Sequence, residues 1–90
     1  MFVRGELDEF DEELGEVHRF MAVRVRKARD DLRLSQQELA DKARIHRSYL
    51  IKIEQGRGNP TGDVLWRLAR VCDVEVSYFF PPKPGDSKPR

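Results

Sequence analysis

The sequence predicts an all-α fold: a compact domain of five short helices. Three features support this prediction. Apolar residues recur at helical spacing, Ser35 and Thr61 stand where N-caps would begin helices, and Gly56 and Pro60 interrupt the pattern where a helix would end. The chain of 90 residues fits one small domain. Because 37% of the residues are charged, only a compact apolar core can form.

The composition also limits where the protein acts. The single cysteine, Cys72, excludes an internal disulfide and suggests a reducing compartment. No apolar run is long enough to span a bilayer, and no signal-peptide pattern is present. We therefore expect a cytoplasmic protein with no membrane partner.

The first helix is predicted from Glu16 to Leu32, with an extension back to Asp8. Its inward face is a heptad-spaced series: Leu14, His18, Met21, Val25, Ala28 and Leu32. Gly15 weakens the N-terminal part of this helix, and we expect the first seven residues to fray.

Residues 34–60 read LSQQELADKARIHRSYLIKIEQGRGNP and predict two short helices joined by a tight turn. Ser35 and Glu38 have the spacing of a capping box at the start of the second helix. The turn is predicted at residues 43–45 and the third helix from Arg47 to Gln55. This is the sequence form of a helix-turn-helix.

A fourth helix is predicted from Thr61 to about Val71, with Leu65, Leu68 and Cys72 facing inward. A short final turn is expected at residues 76–80. Four prolines among the last ten residues predict a disordered tail. The chain thus divides into an acidic N-terminal extension (1–16), a helical domain (17–80) and a Pro-rich tail (81–90).

Charge is distributed unevenly along the chain. Residues 1–16 hold seven acidic residues and one basic residue, for a net charge of −6, whereas the remainder holds 16 basic and nine acidic residues, for +7. A basic body favours contact with phosphates. Solvated helix faces of mixed charge would account for the same composition equally well.

The helix pattern resembles the lambda-repressor-like, Cro/C1-type helix-turn-helix family over roughly residues 20–80. The matching positions are Arg29, Leu34–Gln36, Glu38–Ala40, Tyr49–Leu50, Ile53–Glu54, Gly56, Asn59–Pro60 and Leu68–Ala69. Arg47–Tyr49 and Gly58–Asn59 are also similar to controller proteins of restriction–modification systems. The resemblance implies a sequence-specific regulator of transcription that binds double-stranded DNA.

The resemblance identifies the third helix as the recognition helix, whose N-terminal end enters the major groove. Arg47 can bind guanine at two points, Ser48 can contact several base edges, and Lys52 lies one turn further on the same face. The alternative is an exposed polar helix face. Further DNA contacts are expected from Gln36, Arg44, His46, Tyr49, Arg57 and Asn59.

Three of these further residues have an alternative interpretation. Tyr49 could pack half-buried between helices, and Arg44 could be a solvated turn residue. His46 reads as a helix N-terminal residue rather than a metal ligand, because no second ligand stands at useful spacing. If the turn requires a left-handed residue, Arg44 costs about 1–2 kcal/mol there, and the family usually has glycine.

The resemblance also implies a partly buried ion pair between Arg29 and Glu54, which would fix the recognition helix in place. Both could instead be surface charges. No nucleophile–base pair, metal cluster or phosphate-binding glycine loop is present, so we expect no enzyme activity, cofactor or metal.

A group of aromatic residues near the C-terminal end exceeds what one small core can cover, which suggests a homodimer surface: Trp66, Tyr78, Phe79 and Phe80. A dimer would bind a roughly palindromic operator. The alternative is a protein-interaction module, an antitoxin or adaptor, with the acidic N-terminal segment as a site for a basic partner. Repression and activation are equally compatible with the sequence.

Overall fold

The computed structural model describes residues 4–82, with side chains from Phe10 onward. The elements in chain order are α1 (Arg4–Asp31), α2 (Gln36–Ala43), α3 (Arg47–Glu54), α4 (Gly62–Cys72) and a 3₁₀ helix (Val76–Phe79). No strand occurs among residues 4–82. The predicted all-α class is confirmed, but within this described part of the chain the α-helices number four and the fifth element is a single 3₁₀ turn. The predicted tail lies outside the described residues from position 83.

The first helix is longer than the sequence predicted. α1 has 28 residues and spans about 42 Å. It begins at Arg4, so positions expected to fray belong to the helix. Its predicted inward face is correct in the middle, where Val25 is fully buried, and wrong at both ends, where Leu14 and Leu32 are 50% and 45% exposed. The core contacts the middle of this helix, and the side chains of Leu14 and Leu32 lie outside it.

One core is shared by all five elements: α1 packs chiefly against α3 and the 3₁₀ helix, and α2 packs against α3 and α4. Its largest fully buried side chains come from every element: Val25, Leu39, Leu50, Ile53, Leu68 and Phe79. Helices this short are marginal in isolation, so their stability comes from this shared apolar contact. The arrangement fixes α2 and α3 relative to each other.

All four helices end with one residue in the left-handed conformation. That residue is Gly56 after α3, but Arg33, Arg44 and Asp73 after α1, α2 and α4, with φ between 57° and 59°. In each case the N–H of the next residue donates to the carbonyl five positions earlier, as Ile45 does to Ala40 at 3.0 Å. This is the Schellman arrangement, which satisfies the last carbonyls of a helix.

The predicted aromatic dimer surface is only partly exposed. Phe79 is fully buried in the core, so its assignment to a surface is wrong. Tyr78 is half-buried against the core, and the guanidinium of Arg24 lies 4.4 Å from the centre of its ring. Trp66 and Phe80 remain exposed, at 56% and 40%. The 3₁₀ turn alternates its side chains between core and surface, which spacing alone did not reveal.

Candidate nucleic-acid interface

The capping box predicted at the start of α2 is present. The Oγ of Ser35 accepts from the N–H of Glu38 at 3.0 Å, and Oε1 of Glu38 accepts from the N–H of Ser35 at 2.8 Å. Hydrogen bonding of the Glu38 carboxylate to the Ser35 backbone N–H, and then to the Ser35 side chain, holds the pKa of Glu38 below its usual value. The N-terminal turn of α2 is therefore fixed before any ligand binds.

The turn between α2 and α3 is built around Arg44. Its φ of 59° confirms that the left-handed conformation falls on a non-glycine residue. The Arg44 side chain is exposed, and its carbonyl accepts from Nη1 of Arg67 in α4 at 3.3 Å. Ile45 packs against the core, and His46 is the N-cap of α3 without a side-chain capping bond. Arg67 was not identified from the sequence, because nothing in its spacing links it to the turn.

The recognition helix α3 has one buried face and one exposed face. Leu50 and Ile53 are in the core, whereas Arg47, Ser48 and Lys52 are exposed. The three polar residues fall within two turns, with Arg47 and Ser48 at the N-terminal end. This arrangement leaves two cations and a hydroxyl available to a ligand on that face.

Tyr49 is half-buried and packs against the core cluster, so its ring has a structural role. Its hydroxyl accepts a long hydrogen bond of 3.4 Å from the N–H of Thr61, the N-cap of α4. The packing alternative is therefore present in the structure. The same bond places the hydroxyl beside the loop that follows α3.

The loop after α3 carries Arg57 and Asn59, both exposed, on either side of the buried Gly58. A Cβ on Gly58 would come within 2.9 Å of the backbone nitrogen of Ile53. The N–H of Gly58 donates to the carbonyl of Lys52 at 3.0 Å. Close approach to α3 thus requires glycine here and fixes the two polar side chains beside the helix. The sequence signal was the second glycine soon after Gly56, and its positioning role was missed.

Glu54 is the centre of a polar network at the C-terminal end of α3. It is 3% exposed, and its carboxylate accepts from Nε and Nη2 of Arg29 at 2.7 and 3.0 Å. Nε2 of Gln36 donates to the same carboxylate at 3.0 Å, and Nη2 of Arg26 donates to the Glu54 carbonyl at 2.6 Å. The ion pair implied by the resemblance is present, and the alternative of plain surface charges is excluded.

This network changes the interpretation of Gln36. Its side-chain amide is bound to Glu54, so it links the start of α2 to the end of α3. The backbone N–H of Gln36, in the first turn of α2, is then its remaining candidate group for an anion. Arg26, which sequence spacing did not identify, holds the last carbonyl of α3 from the side of α1.

Among residues with described side chains, no group of three or more His, Cys, Asp or Glu residues could hold a metal ion. None of the helices in the described part of the chain is both long and apolar enough to cross a bilayer.

The geometry defines a helix-turn-helix, and comparisons with known proteins agree. Residues 25–79 match the helix-turn-helix family. The immunity repressor protein of Bacillus phage phi105 is 39% identical over 54 residues, which cover 60% of this chain and 38% of that repressor. An uncharacterized HTH-type transcriptional regulator from Archaeoglobus fulgidus is 30% identical over 60 residues, covering 67% of this chain and 86% of the relative.

A solved structure gives the same result. The restriction-modification controller protein C.AhdI from Aeromonas hydrophila has a TM-score of 0.67 and 30% identity, over 70% of this chain and 96% of that chain. The chain belongs to the helix-turn-helix family of DNA-binding transcriptional regulators. The relatives are regulators rather than enzymes, which agrees with the absence of catalytic motifs from the sequence.

Proposed function

We propose that this protein is a sequence-specific regulator of transcription that binds a roughly palindromic double-stranded operator as a homodimer. The observation that carries the proposal is that α3 exposes a polar face while its other side is held in the fold. Arg47, Ser48 and Lys52 are exposed on one face, while the opposite face is in the core and the C-terminal end is fixed through Glu54. A rigid helix with polar residues at its N-terminal end suits the major groove.

Base recognition in this proposal rests on the first turn of α3. The Arg47 guanidinium binds O6 and N7 of a guanine, and the Ser48 hydroxyl contacts a neighbouring base edge. Lys52 reaches a base or a phosphate one turn further along. His46, which caps α3 without using its side chain, lies at the same end and can donate to the DNA backbone.

Phosphate contacts surround the recognition helix. Arg44 lies before α3, Arg57 and Asn59 lie in the loop after it, and the backbone amide of Gln36 opens α2. The Tyr49 hydroxyl lies beside the same loop. Such contacts set affinity and register without reading sequence.

In the dimer, the second copy of the chain binds the second half-site of the operator. One domain of this size covers about one half-site, and two copies on a twofold axis reach half-sites about 34–36 Å apart. Trp66 and Phe80 are the aromatic residues exposed enough to form the contact. We place the protein in the cytoplasm, where its operator would be. The relatives give no specific support to the alternative of a protein-interaction module.

Selection of bound sequences from a random duplex pool tests the proposal. We expect enrichment of an inverted repeat by the wild-type chain, and loss of preference at one symmetric pair of positions with Arg47→Ala. Glu12→Gln, at an exposed position of α1 outside the proposed DNA and dimer contacts, serves as a control that leaves the consensus unchanged. Absence of affinity for any duplex at low salt would overturn the proposal.

A further inference from the structure

An apolar groove with an acidic rim lies between α1 and the chain that follows the 3₁₀ helix. Its volume is about 310 Å³, and it is lined by Glu13, Glu16, Val17, Phe20, Pro81 and Pro82. Val17 and Phe20 are half-buried, whereas both glutamates are exposed. The floor therefore suits an aromatic or aliphatic side chain, and the rim suits a cation beside it.

The exposed face of α4 has the complementary chemistry. Trp66 is 56% exposed, and the Arg70 guanidinium lies 5.5 Å from the centre of its ring. Arg67 and Asp63 lie on either side of Trp66 on this face, which leaves it a net charge of +1 from two arginines and one aspartate. A large exposed aromatic residue with adjacent cations is typical of an interface anchor.

We propose that the occupant of the groove is Trp66 of a second copy of this chain. The indole ring packs against Val17, Phe20 and the two prolines, and the Arg70 guanidinium of the inserting copy pairs with Glu13 and Glu16. A twofold axis makes the contact reciprocal, so that each copy both inserts Trp66 and receives one. This inference rests on the proposed homodimer and specifies which surfaces form it.

Two features favour a second copy. The charges are complementary, since an acidic rim meets a face with excess positive charge, and each copy carries both halves of the contact. A single inserted tryptophan would bury too little area for a stable dimer, because an aromatic side chain buries about 150–250 Å². The reciprocal arrangement doubles the contact and brings in the exposed Phe80 beside the groove, which moves the area toward the roughly 1,200 Å² of a stable interface.

The chain provides its own reporter, because Trp66 is its single tryptophan. We expect the emission of the wild-type chain to shift to shorter wavelength as concentration rises, with the same midpoint as dimer formation in sedimentation. A dimer whose tryptophan emission does not change would overturn the inference while leaving the proposed function intact. A wild-type chain that stays monomeric free and on DNA would overturn both.

A charge exchange tests the pairing itself. Glu16→Arg should weaken the dimer by about tenfold, or roughly 1.4 kcal/mol, since both reciprocal contacts change at once, and Arg70→Glu should do the same. The double variant Glu16→Arg/Arg70→Glu should recover most of the loss. Glu12→Arg is the matched control, because Glu12 is exposed on α1 but does not line the groove.

Thermal melts by circular dichroism would verify that every variant is folded. Failure of the double variant to recover dimerisation would overturn the pairing. Dimerisation of Glu16→Arg equal to that of the wild type, with residues 83–90 present or deleted, would also overturn it, because the groove would then lie outside the dimer contact.

Discussion

The guanidinium of Arg29 and the carboxylate of Glu54 form a two-point ion pair, with Nε–Oε2 at 2.7 Å and Nη2–Oε1 at 3.0 Å. Their side chains are 14% and 3% exposed, so the charges are largely removed from water. The pKa of Arg29 is raised, chiefly by the hydrogen bond to Glu54, which stabilises the charged guanidinium. The pair joins α1 to the end of α3 and thereby fixes the helix that we propose reads DNA.

Removal of one partner of this pair should be costly. Arg29→Ala should lower the free energy of unfolding by about 3–5 kcal/mol, because Glu54 would be left buried and uncompensated. The double variant Arg29→Ala/Glu54→Ala should lose less than the sum of the single variants. Urea melts of the four proteins measure this coupling. Additive losses near zero would show that the two charges contribute nothing to the fold.

Arg47→Ala should lower specific DNA affinity by about 1–3 kcal/mol and relax the preference at one base position, because a two-point contact to guanine is lost. Stability should be almost unchanged, since the side chain is exposed. Competition titrations with single-base operator variants measure the effect. If the ranking of operators stays the same, Arg47 does not read the sequence.

Arg57→Ala should weaken binding to all duplexes by a similar factor, because the expected partner is a phosphate. The slope of log affinity against log salt should fall by about one unit. Titrations at several salt concentrations separate this behaviour from that of Arg47→Ala. A change in base preference with an unchanged salt slope would contradict the phosphate assignment.

Arg44→Gly should stabilise the fold and weaken DNA binding. Glycine removes a left-handed strain of about 1–2 kcal/mol, but the greater entropy of the unfolded chain offsets about 0.4–1 kcal/mol of this, so a net gain of about 0–1.6 kcal/mol is expected. Asp73→Gly, at the same position after α4, is the control and should gain less, because aspartate tolerates this conformation better. Calorimetry and DNA titration measure the two effects. Unchanged DNA affinity would make Arg44 only a turn residue.

The capping box predicts that the stability of the fold depends on pH. Because the folded pKa of Glu38 is lowered, its carboxylate contributes stability above its ordinary pKa, and the contribution is lost as pH falls through the lowered value. Glu38→Gln should be less stable than the wild type near neutral pH, and the difference should shrink in acid. Urea midpoints from pH 7 to 3 test this, with Glu12→Gln as the control. A difference that is constant across this range would contradict the assignment.

Local patterns were enough to predict the order of the elements and the family, but not the start of α1 or the 3₁₀ form of the last element. The Ser35–Glu38 spacing, the left-handed requirement at Arg44 and the series from Arg29 to Ala69 depend on residues close in sequence or on a known motif, and the structure and relatives agree with them. Helix caps and apolar periodicity are encoded over a few residues, which is why these predictions succeeded.

Tertiary packing alone decided which residues on those helices are exposed and which contact residues of another element. Phe79 is core and Phe80 is surface, Gln36 is bound to Glu54, and Gly58 must approach Ile53 closely. Periodicity gives the direction of a side chain around its own helix but not whether another element covers it. Contacts between distant positions, such as Arg67 to the Arg44 carbonyl, exist only once the helices have packed together.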